Sequence, residues 1–143
     1  MFFILGMPRS RTYWLSQFLE CTHEGLWYYP NYQEFLDTGQ SDSTTCYPWI
    51  KDYIKDYKKV VIHRDEDDVK KSLKGLFDID FDCSSYDLDS IEGLHIQYDD
   101  INNRLEQIWD YCRDDEFPTK RAEIMKDRVL NNEFLIKEVQ SCL

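Results

Sequence analysis

The chain has 143 residues, with 28 Asp and Glu against 17 Lys and Arg, and a formal net charge of −11. That length suits a single domain over residues 1–143 built around one core. Such acidity argues against a nucleic-acid-binding surface or an anionic membrane as partner. It does not exclude a nucleotide anion, because a few clustered arginines focus positive potential within a negative molecule. Ten Tyr, eight Phe and four Trp are the composition of a folded protein. Cys21, Cys46, Cys83, Cys112 and Cys142 are scattered and form no C-x-x-C pair. They suggest neither a zinc site nor a disulfide framework, and they suit reduced thiols in a cytoplasmic protein. The opening MFFILGM is too short for a secretory signal, and no apolar run approaches membrane-spanning length.

In chain order, FFIL before Gly6 reads as a short buried strand. Pro8 to Thr12 is a tight polar turn, and Trp14, Leu15, Phe18 and Leu19 then recur at helical spacing. Thr22 to Gly25 breaks that helix, and Leu26 to Tyr29 is short and aromatic. Residues 31–38 suit a short helix, 39–45 (GQSDSTT) a polar turn, and 47–57 a helix with Pro48 in its first turn. Lys58 to His63 (KKVVIH) is the clearest second strand. Acids at 65–68 open the next helix, which runs to about Leu76, as the helix dipole prefers. Residues 78–90 are acidic and irregular, a candidate lid. Leu94 to Tyr98 is a third strand. A helix follows with Ile101, Leu105, Ile108, Trp109 and Cys112 on one face, and two more helices are expected over 118–130 and 132–142. Alternating strands and helices predict an α/β fold with a small, mainly parallel sheet flanked by helices in three layers.

Chemistry concentrates in two places. The first is strand, turn and helix N-terminus at the start of the chain. Free backbone N–H groups converge there, the dipole favours negative charge, and Arg9, Ser10, Arg11 and Thr12 add donors. A phosphate or sulfate is the natural guest. The nucleotide-binding Walker loop fits poorly, since it needs a second glycine and a lysine, and the residues after Gly6 are MPRSRT. The second is Arg64 at a strand end, with Ser72 eight positions on in the next helix. In open α/β sheets ligands bind beyond the carboxyl ends of strands, so parallel strands would bring Arg64 to the same edge as the first turn.

The first string resembles the phosphosulfate-binding loop of sulfotransferases, P-[KR]-S-G-[ST]-x-[WL]. Pro8, Arg9, Ser10, Thr12 and Trp14 fall on matching positions, and Arg11 stands where that family has glycine. The second resembles the same family's R-x-P-x-D-x-x-x-S, matched by Arg64, Asp68 and Ser72, with Glu66 in place of the proline. The stretch HIQYDDI looks like a later scaffold strand of that family. The resemblance is thin between residues 25 and 57, and no counterpart of the R-K-G-x-x-G stretch of larger members is present. Short sulfotransferase-like proteins of bacteria and their viruses look closer. The resemblance implies a P-loop-type fold. It also implies 3′-phosphoadenosine 5′-phosphosulfate (PAPS) as co-substrate, with Pro8, Arg9, Ser10, Arg11 and Thr12 on the 5′-phosphosulfate. Arg64 and Ser72 would then hold the 3′-phosphate, and Trp14 would stack on adenine or pack in the core. It implies no metal. Arg9 is the expected catalytic cation. Glu24 is the first choice of base for an acceptor hydroxyl or amine, and His23 the second. A P-loop phosphotransferase and a non-catalytic anion-binding relic are the competing expectations.

Overall fold

The structure is a computed structural model and describes residues 1–126. The expected helix over 132–142, the end of the one over 118–130, and Cys142 lie outside the described residues.

Five parallel strands form one sheet in the order β2-β3-β1-β4-β5. They are β1 (Phe2–Gly6), β2 (Thr22–His23), β3 (Asp42–Thr44), β4 (Lys58–His63) and β5 (Leu94–Gln97). The helices are α1 (Thr12–Leu19), α2 (Tyr32–Asp37), α3 (Tyr47–Ile50), α4 (Glu66–Phe77), α5 (Leu105–Cys112) and α6 (Thr119–Lys126), with 3-10 turns at Gly25–Tyr28 and Tyr98–Asn103. Central β1 pairs with β4 from Phe2↔Lys58 to Gly6↔Ile62 and with β3 from Phe3↔Asp42 to Leu5↔Thr44.

The two-residue period of a strand sends alternate side chains to opposite faces, and β1 and β4 divide their residues accordingly. Phe2, Ile4, Val60 and Ile62 face a core shared with Trp14, Leu15 and Phe18 of α1, and with Leu105, Ile108 and Trp109 of α5. Phe3, Leu5 and Val61 face a second core with Tyr32 and Phe35 of α2, Ile50 of α3, and Val69 and Leu73 of α4. The layers are therefore helix, sheet and helix, the α/β arrangement anticipated from the alternation of elements. Both faces of β1 are covered, which is why FFIL carries no polar residue. Each large apolar side chain so buried contributes about 1.5–3 kcal/mol relative to exposure.

Three expectations are corrected. Thr22–His23 and residues 42–44 are strands, not breaks or turns. Asp42, Ser43 and Thr44 are wholly buried, and their side-chain bonds replace the apolar contacts that usually mark a buried strand. The helix expected over 47–57 stops at Ile50, and two tight turns follow, with Tyr53 N–H donating to Ile50 O and Tyr57 N–H to Ile54 O. The segment 78–90 is irregular as expected but packed down. Cys83 and Leu88 are buried in the second core, as is Ile91 just beyond, and the Tyr86 hydroxyl donates to Thr45 O at 2.6 Å.

Candidate functional site

All five strands run the same way, so their carboxyl ends share one edge. Along that edge stand the loop after β1, Arg64 after β4, Tyr98 after β5, and His23, Glu24 and Thr45 at the ends of β2 and β3.

The loop after β1 is tight. A β-carbon on Gly6 would sit 3.2 Å from Ser10 Cβ, so glycine there lets Ser10 fold back over the strand end. Arg9 and Arg11 both take left-handed backbone, with φ 66° and 61°. Non-glycine residues in that region cost about 1–2 kcal/mol each. Left-handed residues on either side of Ser10 are the kind of backbone from which anion nests are built. The N-cap of α1 is Arg11, with no side-chain cap bond, so the first-turn N–H groups are not capped by that side chain.

Arg64 reaches back from β4 and donates through Nη1 to Arg9 O. Arg9 Nε donates to Ser72 Oγ of α4 at 3.1 Å. The two arginine motifs, 55 residues apart in sequence, thus meet at one place. Burial holds the Arg9 guanidinium below its ordinary pKa, with the neighbouring Arg64 charge adding to the effect and Tyr98 opposing it. A nearby negative charge would relieve that repulsion. Ser10 is wholly buried, and its Oγ and Arg64 Nε are buried without a hydrogen-bond partner. Buried polar groups are almost always paired, so Ser10 Oγ and Arg64 Nε stand out beside the loop as hydrogen-bonding groups without a protein partner. Ser72 bonds Arg9 rather than Arg64, so the 3′ clamp expected from the sequence is occupied by the side chain of the 5′ loop. Asp65 caps α4, its side chain accepting from Asp68 N–H at 3.1 Å, which makes the matched Asp68 a first-turn helix residue.

Arg11 points elsewhere. Its guanidinium carbon lies 4.0 Å from the centre of the Trp14 ring, and Nη1 donates to Asn102 Oδ1 at 2.9 Å. Burial lowers its pKa, and Tyr98 opposes the shift. Trp14 itself is 2% exposed, stacks on Phe18 at 5.6 Å, and donates its indole N–H to Met125 O at 3.2 Å. It is core. The alternative of an exposed adenine platform is set aside, because Arg11 covers the ring. Thr12 is buried, and its carbonyl accepts from Ser43 Oγ at 2.7 Å.

On the far side of the edge, His23 Nδ1 bonds Ser43 O at 2.8 Å. A carbonyl only accepts, so Nδ1 carries the proton and Nε2 of the neutral ring is left as an acceptor. The Tyr13 ring meets the imidazole edge-on at 5.3 Å. Ser43 thus ties His23 to the start of α1 through its carbonyl and hydroxyl together. Glu24 is a brace. Its carboxylate accepts from Thr44 Oγ1 (2.7 Å), Thr45 N–H (2.8 Å), Thr45 Oγ1 (2.7 Å) and Cys46 Sγ (3.2 Å). Beneath it, buried Asp42 accepts from Thr22 Oγ1, Gly25 N–H and Tyr32 OH. Burial raises the Asp42 pKa first, and those three donors oppose it.

Tyr98 and Asn102 are the residues that sequence reasoning missed. The Tyr98 ring lies 4.2 Å from the Arg64 guanidinium carbon, and Tyr98 opposes the lowering of the Arg9 and Arg11 pKa. The signal was present, since Tyr98 is the first residue beyond β5 and lies on the ligand edge of a parallel sheet. Among the described residues no group of three or more His, Cys, Asp or Glu side chains is placed to hold a metal ion, and no helix is long and apolar enough to cross a membrane. Comparison of the chain with family models, with curated proteins and with solved structures returns no match.

Proposed function

We propose that the chain transfers a sulfuryl group from PAPS to a hydroxyl or amine acceptor. The observation that carries this is the convergence of Arg9, Arg64 and Ser72 at one sheet edge, beside the unpartnered Ser10 Oγ and Arg64 Nε. In the reaction the acceptor lone pair forms a bond to sulfur, the bond from sulfur to the bridging oxygen breaks, and its electrons pass to the departing 5′-phosphate. Charge grows on that oxygen, where Arg9 and the loop N–H groups act as preorganised donors. Ser10, Arg11 and Thr12 line the loop, and Arg64 with Ser72 receives the second phosphate once Arg9 turns from Ser72 to the ligand. The acceptor proton goes to His23 Nε2. His23 displaces Glu24 as preferred base because the Glu24 carboxylate is already committed to four donors.

Nucleotide binding without transfer is a second reading, favoured by the contacts that Arg9 and Glu24 already make within the protein. A P-loop phosphotransferase remains less well supported, since the loop has no lysine. A thermal-shift comparison separates these readings. A ligand bound only by the folded state at about 100 times its Kd adds about 2.7 kcal/mol. Adenosine 3′,5′-bisphosphate should raise the melting temperature more than ATP–Mg²⁺ or sulfate at equal concentration. A larger shift with ATP–Mg²⁺ favours the phosphotransferase, and no shift with any of them contradicts a nucleotide site.

A further inference from the structure

Arg11 sits at a backbone position, φ 61°, that glycine adopts without strain. A long side chain kept at such a position is the kind of outlier from which function is inferred. The Arg11 guanidinium is fixed from two sides, by the Trp14 ring 4.0 Å below its central carbon and by Asn102 Oδ1 at 2.9 Å from Nη1. Arginine is planar and delocalised, and it stacks on aromatic faces. The indole beneath has no surface left to offer, being 2% exposed with its N–H committed to Met125 O. Arg11 is only part-buried, so the outer layer of this stack is the guanidinium and not the indole.

We propose that Arg11 is the surface on which the purine ring of the nucleotide stacks, supported from below by Trp14 and held in plane by Asn102. This rests on the nucleotide reading above. It differs from a phosphate contact in a measurable way. A charge that touches phosphate matters for every anion, and lysine supplies it nearly as well. A stacking plane matters only for ligands that carry a base, and lysine has no such plane.

The experiment is calorimetry on the full chain and on Arg11→Lys and Arg11→Gly, with adenosine 3′,5′-bisphosphate and inorganic pyrophosphate as probes. Arg11→Lys should weaken the nucleotide by about tenfold, the scale of one base-stacking contact. It should leave pyrophosphate within about twofold, as expected for a retained charge. Arg11→Gly relieves the left-handed strain and should fold, and it too should lose more affinity for the nucleotide than for pyrophosphate. Equal losses for both probes, or no loss for either, overturn the proposal. A wild-type chain that binds the nucleotide while Arg11→Lys binds it equally well removes the stacking role alone. A wild-type chain that binds no nucleotide removes the sulfotransferase reading and this role with it.

Discussion

His63 and His95 illustrate how much of this edge depends on single protons. His95 Nε2–H donates to Ile91 O at 2.7 Å, so its Nδ1 accepts from His63 Nε2–H, also at 2.7 Å. The next proton goes to His63 Nδ1, 3.6 Å from Asp89 Oδ1. Burial lowers the His63 pKa first, His95 lowers it further, and Asp89 opposes both. A depressed histidine contributes stability that is fully present above its unfolded value near 6.5 and is lost as pH falls through the lower folded value. Nuclear magnetic resonance titration should therefore find the His63 midpoint below that of a free histidine, and Asp89→Asn should lower it again. An unmoved midpoint in that variant would remove Asp89 from the account. Asp42 allows a sharper stability test. Asp42→Ala strands the Gly25 N–H and the Tyr32 hydroxyl, and should cost about 2–4 kcal/mol in chemical denaturation. A loss under about 0.5 kcal/mol, typical of a surface site, would contradict its role as hub. At this scale the sequence exposed Arg9, Arg64 and Ser72, because their spacing is local to each motif. It did not expose Tyr98 and Asn102, whose contacts exist only once β5 lies beside β4. It put Glu24 ahead of His23 as base, since the donors that the end of β3 brings to the Glu24 carboxylate are not visible in the sequence.

Among the elements, two glycines make opposite demands. A β-carbon on Gly93, where the chain enters β5, would sit 2.3 Å from Lys59 O. Backbone cannot yield there without parting β5 from β4, so Gly93→Ala should destabilise by about 3 kcal/mol. Gly75 lies inside α4 with nothing within 4 Å of an added β-carbon. Gly75→Ala should stabilise by about 0.5–1 kcal/mol through helix propensity and unfolded-state entropy. Urea denaturation measures both, and a destabilised Gly75→Ala would mean that the face of α4 at Gly75 is not open to solvent. Strands β1 and β4 were legible because their cores are apolar on both faces. Strands β2 and β3 were not. Thr22 Oγ1 donates to Asp42, Ser43 Oγ to Thr12 O and Thr44 Oγ1 to Glu24, all inside the fold, and no hydropathy pattern carries that information. The helix after Cys46 was overextended for a related reason, because the apolar residues Tyr53 and Ile54 continue the periodicity through turns that end the regular bonding.

Across the whole molecule, a chain of net charge −11 gathers Arg9, Arg11 and Arg64 at the carboxyl edge of its sheet. Arg113 and Arg121 go instead to the end of α1, donating to Leu19 O at 3.0 Å and Phe18 O at 3.2 Å, where a helix C-terminus favours cations. Arg9, Arg11 and Arg64 are left as a local cluster at the strand ends, and such a cluster focuses positive potential within a negative molecule. Calorimetric comparison of wild type and Arg64→Ala, each titrated with adenosine 3′,5′-bisphosphate and with adenosine 5′-phosphate, tests this most directly. Wild type should bind the bisphosphate saturably. Arg64→Ala should weaken the bisphosphate by tenfold or more, the scale of a lost charge-assisted bond, while the monophosphate changes far less. Equal losses for the two nucleotides, or no binding of either by wild type, would contradict it.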